Sequence, residues 1–275
     1  MSPIKPATWL ELSRASNLPT VWSNLLHGMS AGVFVAYMLP VEATYGQRPR
    51  AGWNDLLQML DAGFLLLVGV SLIYAGGMWM NDAVDAELDM AERGRSGPRA
   101  RPIAGGRISR RGAGVGAAVL LAAGLGCSLV YPPVVAGAAA LLVAAVVVYN
   151  LVHRWRWTGW LLLPLCRGLV AWLGFLAVLA GRGADAGQAW NEALTGPAVW
   201  GVAAVMVYTG VVTVLAWSEA LPGRERWGPW IGVMIAAMPV VDAGYTLAYG
   251  LWPTAAFCGA CGVVSLLGQR WIAGS

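Results

Sequence analysis

Residues 74–109 read YAGGMWMNDAVDAELDMAERGRSGPRARPIAGGRIS, the only long segment in which acids and arginines crowd the end of an apolar run. If the run from Leu56 to Met80 crosses a bilayer as a helix, two or three further turns bring Asn81, Asp82, Asp85 and Asp89 within roughly 100° of one face, at about 100° per residue. Glu87 falls on another face. Three like charges on one face, close to a low-dielectric membrane, are expected to take up protons unless a cation holds them. A cation is therefore the first expectation for this helix end. The bland alternative is a solvated loop in which the aspartates and arginines only face water.

The rest of the chain identifies the solvent in which that segment folds. Hydrophobic residues make up 58% of the 275 and charged residues 12%, about half the ~25% charge of a soluble domain. Apolar runs recur at about 19–39, 56–80, 112–131, 133–152, 159–180, 197–219, 228–249 and 253–271, each near the ~20 residues that a transmembrane helix needs. The fold class is an all-α polytopic membrane helix bundle of eight spans, formed as one domain over 1–275. Pro229, Pro239 and Pro253 are expected to threaten the last two runs. The segment to about Leu18 reads as a short interfacial helix and lacks the small-residue cleavage pattern of a secretory signal.

The sequence pI near 9.0 does not point to nucleic acid, because the basic charge is mostly arginine in short loops between apolar runs. With the N-terminus inside, Lys5, Arg14, Arg93, Arg95, Arg99, Arg101, Arg107, Arg110, Arg111, Arg154, Arg156, Arg224, Arg226 and Arg270 collect on one side and only Arg48, Arg50 and Arg182 on the other. This imbalance predicts an integral protein of the cell (inner) membrane with its N-terminus and acidic stretch cytoplasmic.

The same orientation puts the polar residues of four spans at one depth. Asn81 to Asp89 end the second span; Tyr149, Asn150, His153 and Arg154 end the fourth; Arg167 lies near the start of the fifth; Ser218 and Glu219 end the sixth. Polar groups at membrane depth are costly and usually line a cavity or pair with one another, so a pocket with apolar walls is expected there. Carboxylate and amide oxygens suit Mg²⁺, which is commonly shared with substrate phosphates, and arginines such as Arg93, Arg99 and Arg101 can clamp phosphate oxygens. A diphosphate with a long hydrocarbon tail, such as a prenyl diphosphate, fits this combination.

At this point the residues resemble a known family. NDAVDAELD is similar to the first aspartate-rich motif of the UbiA superfamily of intramembrane prenyltransferases, RPIAGGRIS resembles the segment that follows it, and NLPTVWSNLLHG, with Asn24 at an Asn position, resembles the family's first helix. YNLVHRWRW resembles its Tyr-x-x-x-Lys-Arg region, with His153 where a Lys often stands.

The resemblance implies a ring of usually nine helices, against the eight counted here, around a central cavity, and Mg²⁺-dependent transfer of a prenyl group from its diphosphate to an aromatic or other lipophilic acceptor. Asn81, Asp82, Asp85 and Asp89 would hold the metal, with Asp82, Asp85, Asp89 and Glu219 catalytic. Asn24, Arg93, Arg99, Arg101, Tyr149, His153, Arg154, Arg167 and Ser218 would bind substrate. The second Asp-rich motif is missing: YTGVVTVLAWSEALPGRER offers only Glu219, as in a divergent branch of the superfamily. The alternative is a non-catalytic isoprenoid-binding or transport component that retains the diphosphate pocket. A transporter of ions or small metabolites is disfavoured, since no internal repeat is present.

Other residues have plainer expectations. Arg154 also reads as a topology determinant, His153 as an interfacial residue and His27 as a packing hydrogen bonder. Arg167 is expected in the pocket, with Glu219 or a phosphate as partner. Asp61 and Asp242 read as interfacial or structural. Cys258 and Cys261 read as small buried residues, because no second ligand pair accompanies them. Gly28/Gly32 and Gly112/Gly116 permit close helix approach, within the bundle or in a homo-oligomer.

Overall fold

The computed structural model describes residues 6–47, 49, 51–93, 101–153, 156–183, 187, 191, 198–219 and 228–270. Arg99 and Arg154 fall outside the described residues, as do the side chains of Arg93 and Glu219. The elements are helices α1 (Pro6–Leu12), α2 (Leu18–Val33), α3 (Leu39–Tyr45), α4 (Trp53–Ala62), α5 (Phe64–Arg93), α6 (Arg110–Ser128), α7 (Pro133–Val152), α8 (Arg156–Gly181), α9 (Ala198–Glu219), α10 (Gly228–Ala248) and α11 (Trp252–Gly268). A 3₁₀ turn (Ala15–Asn17) and a π-helical turn (Phe34–Met38) join α1 to α2 and α2 to α3.

Among the described residues, seven helical stretches are long and apolar enough to cross a membrane, and α11 is a shorter apolar helix. These eight pieces overlap the eight expected runs, with one division: the run expected as a single helix over 56–80 is split at Gly63 between α4, ending at Ala62, and α5, starting at Phe64. The feared breaks do not occur. Pro239 lies inside a continuous α10, and Pro253 occupies the first turn of α11, where a missing N–H leaves no intrahelical bond unmade.

The first span is the axle of the bundle. Two thirds (67%) of its most apolar window is buried, against 28% for α6, so α6 can face lipid whereas the first span cannot. Its glycines explain how α8 comes so close. A Cβ on Gly28 would overlap the carbonyl oxygen of Ala171, and one on Gly174 would overlap that of Leu25. On the other side, a Cβ on Gly116 would enter the Trp79 ring and one on Gly124 would meet Gly69 and Ile73. The close approaches at Gly28 and Gly116 are thus made inside the bundle.

Helix α5 exceeds the membrane requirement. Its 30 residues correspond to about 45 Å at 1.5 Å per residue, so its last turns reach past the apolar region with the acidic residues on them. A second, smaller core of Leu12, Trp79, Ala83, Ala86, Ile103, Ile108, Ala113 and Ala117 packs around that extension.

Candidate active site

Asn81, Asp82 and Asp89 are buried on the extension of α5, and Asp85 lies on the same face, where its Oδ2 accepts from Asn81 Nδ2 at 3.2 Å. Glu87 turns away to pair with Arg110 at 2.6 Å in solvent. Protein cations meet the carboxylates. Arg101 Nη1 donates to Asp82 Oδ1 at 2.6 Å and its Nε lies 3.4 Å from Asp89 Oδ1. Arg14 Nη2 reaches Asn81 Oδ1 at 3.3 Å and Asp82 Oδ1 at 3.4 Å. His153 Nε2 is 3.1 Å from Asp85 Oδ2 while Nδ1 is 3.1 Å from the Asn150 carbonyl oxygen. Both ring nitrogens thus face oxygen atoms.

Local sequence explains how Arg101 gets there. After Pro102 the chain closes a tight turn, with Gly105 N bonded to Arg101 O at 2.8 Å and Arg107 N to Pro102 O at 2.9 Å. Gly106 takes φ +70°, a left-handed conformation that glycine adopts without steric cost. Ile103, Ala104 and Ile108 are buried, which fastens the turn over α5 and folds Arg101 back onto the acidic face. Ser109 then caps α6, its Oγ accepting from Gly112 N.

The N-terminal segment closes the other side. Glu11 accepts both Arg107 Nη atoms at 2.7 and 2.8 Å, a bond that raises the pKa of the Arg107 guanidinium. Trp79 Nε1 donates to Ser13 Oγ at 2.9 Å, and Trp9 stacks on Trp79 with centroids 4.6 Å apart. Arg14 follows in a left-handed conformation, φ 44°, which is uncommon for a side-chain-bearing residue and recurs at functional sites.

Behind this end lies a cavity of about 560 Å³. Its polar end is formed by Arg14, Asn17, Tyr74, Asn81, Tyr149 and His153, and Arg167 borders it deeper in. The walls are apolar, from Val21, Val70, Leu142, Val146, Leu163, Val212, Ile231, Ile235 and Met238, with Trp160 and Trp217 edge to face at 5.6 Å. From α9 the cavity receives Thr209, Val212, Thr213, Ala216 and Trp217. Ser218 is not among its lining residues, and its hydroxyl donates to the Leu215 carbonyl of its own helix.

Arg167 has a protein partner other than Glu219: its Nη1 donates to Asn24 Oδ1 at 3.2 Å. Of the two roles expected for Asp242, interfacial or structural, the structure shows the structural one: it is fully buried and accepts from Ser23, Asn24 and His27 of α2 at 2.6 to 2.8 Å. Asn150, expected among the polar residues at this depth, lines the cavity, as do Asn17 and Tyr74 from the quoted stretches and Arg14, which no motif marked. The only sequence signal for Arg14 was a charge close to the first apolar run, which topology alone explained.

The fold and site define a polytopic helical membrane protein with a large apolar cavity that is polar at one end. The model of the UbiA prenyltransferase family matches residues 50–273, and the chain belongs to that family. Comparison with curated proteins and with solved structures finds no match. The family is one of membrane prenyltransferases that generally use Mg²⁺. Among the described residues no three His, Cys, Asp or Glu side chains converge as a ready metal site. The donor chemistry nevertheless fits: hard amide and carboxylate oxygens line one face, and Mg²⁺ needs only one or two carboxylates when a phosphate completes its shell.

Proposed function

We propose that the protein transfers a prenyl group from a prenyl diphosphate to an aromatic or other lipophilic acceptor, working from the cytoplasmic end of the bundle. The observation that carries this reading is that Arg14, Asn81 and His153 both line the apolar cavity of about 560 Å³ and contact the carboxylates of Asp82 and Asp85 on the acidic face of α5.

Asn81, Asp82, Asp85 and Asp89 would hold Mg²⁺, which when bound neutralises charge on the leaving diphosphate. Arg101 and Arg14 already sit on the carboxylates, so an incoming diphosphate gives their guanidinium forks a second anion to bind. His153 and Tyr149 border the same space. The allylic C–O bond breaks with its electron pair going to the diphosphate oxygen, the acceptor bonds to the prenyl carbon, and the acceptor loses a proton. The apolar walls keep water from the allylic cation, which would otherwise be lost as an alcohol.

A second reading, an isoprenoid carrier without turnover, draws on α9. Residues 198–218 contain no Asp or Glu, and α9 turns threonines and a tryptophan toward the cavity. The deciding experiment is incubation of the protein in lipid nanodiscs with radiolabelled prenyl diphosphates of several lengths, with and without Mg²⁺, scored for binding and for diphosphate release across a panel of aromatic and lipid acceptors. Mg²⁺-dependent release that Asp85→Ala abolishes supports the transferase. Binding without release on any acceptor supports the carrier.

A further inference from the structure

Asp242 of α10 is 0% exposed, and a carboxylate with no contact to water is sustained only by partners. Among the described residues its three hydrogen-bond partners all come from α2. Ser23 Oγ donates to Oδ2 at 2.6 Å, Asn24 Nδ2 to Oδ2 at 2.8 Å, and His27 Nδ1 lies 2.8 Å from Oδ1. Residues 23, 24 and 27 share one helix face, so a single carboxylate reads that face. Room for the imidazole comes from Gly201 of α9, where a Cβ would collide with the His27 ring, and Tyr245 stacks on it at 5.4 Å.

These bonds dictate which way the Asn24 amide points. An ionised carboxylate only accepts, so it takes the amide NH₂ and leaves Oδ1 facing the opposite way. Oδ1 meets Arg167 Nη1 at 3.2 Å. The result is a line from anion through oriented amide to cation, ending at Arg167 of α8, which borders the cavity. Neither Asn24 nor Asp242 borders the cavity itself, so any effect they have on a bound molecule passes through Arg167.

We propose that Asp242 is a positioning residue for anion binding: acting through Asn24, it holds the Arg167 guanidinium against the cavity, and loss of its charge weakens binding of a prenyl diphosphate while leaving the acidic face of α5 intact. This rests on the reading of the cavity as a diphosphate site.

The test is a double-mutant cycle on the full chain in nanodiscs with Asp242→Asn, Arg167→Gln and the pair, measuring Kd for geranylgeranyl diphosphate with Mg²⁺ and thermal melting without ligand. Residues in one hydrogen-bonded network are non-additive. Each single variant should weaken binding by about tenfold or more, and the pair by no more than Arg167→Gln alone. Wild-type affinity in Asp242→Asn, or losses that multiply in the pair, would overturn the proposal. Should Asp242→Asn fail to fold, Asn24→Ala replaces it in the same cycle with the same two outcomes, because it cuts the line while leaving Asp242 bonded to Ser23 and His27. If the wild type binds no prenyl diphosphate, the diphosphate reading fails, and the ligand-free melting cycle still decides the coupling. Arg167→Gln should then lower Tm less in the Asp242→Asn background than in wild type, and equal shifts would sink the positioning role.

Discussion

Arg101 and Asp82, nineteen residues apart, meet at 2.6 Å, and the guanidinium that makes this contact also reaches Asp89 at 3.4 Å. One side chain from the turn after α5 therefore ties two carboxylates that lie two helical turns apart. Arg101→Ala removes this shared cation from both buried acids, leaving Asp82 with Arg14. We expect a loss of stability of about 2 kcal/mol, the scale of a hydrogen bond to a charged group, read as a lower Tm, together with loss of diphosphate binding. Arg101→Lys should recover part of the stability and less of the binding, because an ammonium cannot span both acids as the planar fork does.

The carboxylates carry protein cations already, which sets an order for metal binding. Mg²⁺ added alone has to displace Arg101, Arg14 or His153 from Asp82, Asp85 and Asp89. We expect little change in Tm with millimolar Mg²⁺ alone and a clear rise with Mg²⁺ and a prenyl diphosphate together. Linkage gives about 2.7 kcal/mol at a hundredfold excess over Kd. An equal rise with Mg²⁺ alone would show that the cations do not compete.

Gly106 supplies a test that separates backbone from side chain. Nothing lies within 4 Å of a Cβ built there, yet φ is +70°, so Gly106→Ala meets no neighbour and strains only the main chain. The cost should be about 1 kcal/mol, with Gly106→Asn milder because Asn tolerates the left-handed region. Since the turn aims Arg101 at Asp82, activity should fall more than stability does. Enzyme assay alongside thermal melting checks this.

Much of the bundle was legible because hydropathy runs and helix periodicity are local properties. The eight apolar runs, the extension of α5 past Met80 and the shared face of Asn81, Asp82, Asp85 and Asp89 all follow from spacing along one helix. What spacing does not carry is lateral neighbourhood. Asp242 sits in an apolar run whose sequence says nothing of the α2 face opposite, so its three partners were hidden and its role stayed open between interfacial and structural. Arg14 was hidden for another reason: its reach to Asp82 depends on a left-handed residue and a docked α1, neither of which a charge count registers.

The docking of α1 can itself be divided into a weak and a strong part. The Glu11–Arg107 pair is bidentate but exposed, at 36% and 42%, and pairs of this kind contribute about 0 to 1 kcal/mol and are screened by salt. Leu12, by contrast, is 0% exposed in the small core with Trp79 and Ile103, and truncating such a residue costs roughly 2–5 kcal/mol. Arg107→Ala should therefore leave Tm and binding almost unchanged at physiological salt. Leu12→Ala should lower Tm and weaken diphosphate binding together, because Arg14 lies two residues further on and depends on α1 staying docked to reach Asp82. If Arg107→Ala proves the more damaging of the two, the charged clasp rather than the apolar core holds the N-terminal segment over the site.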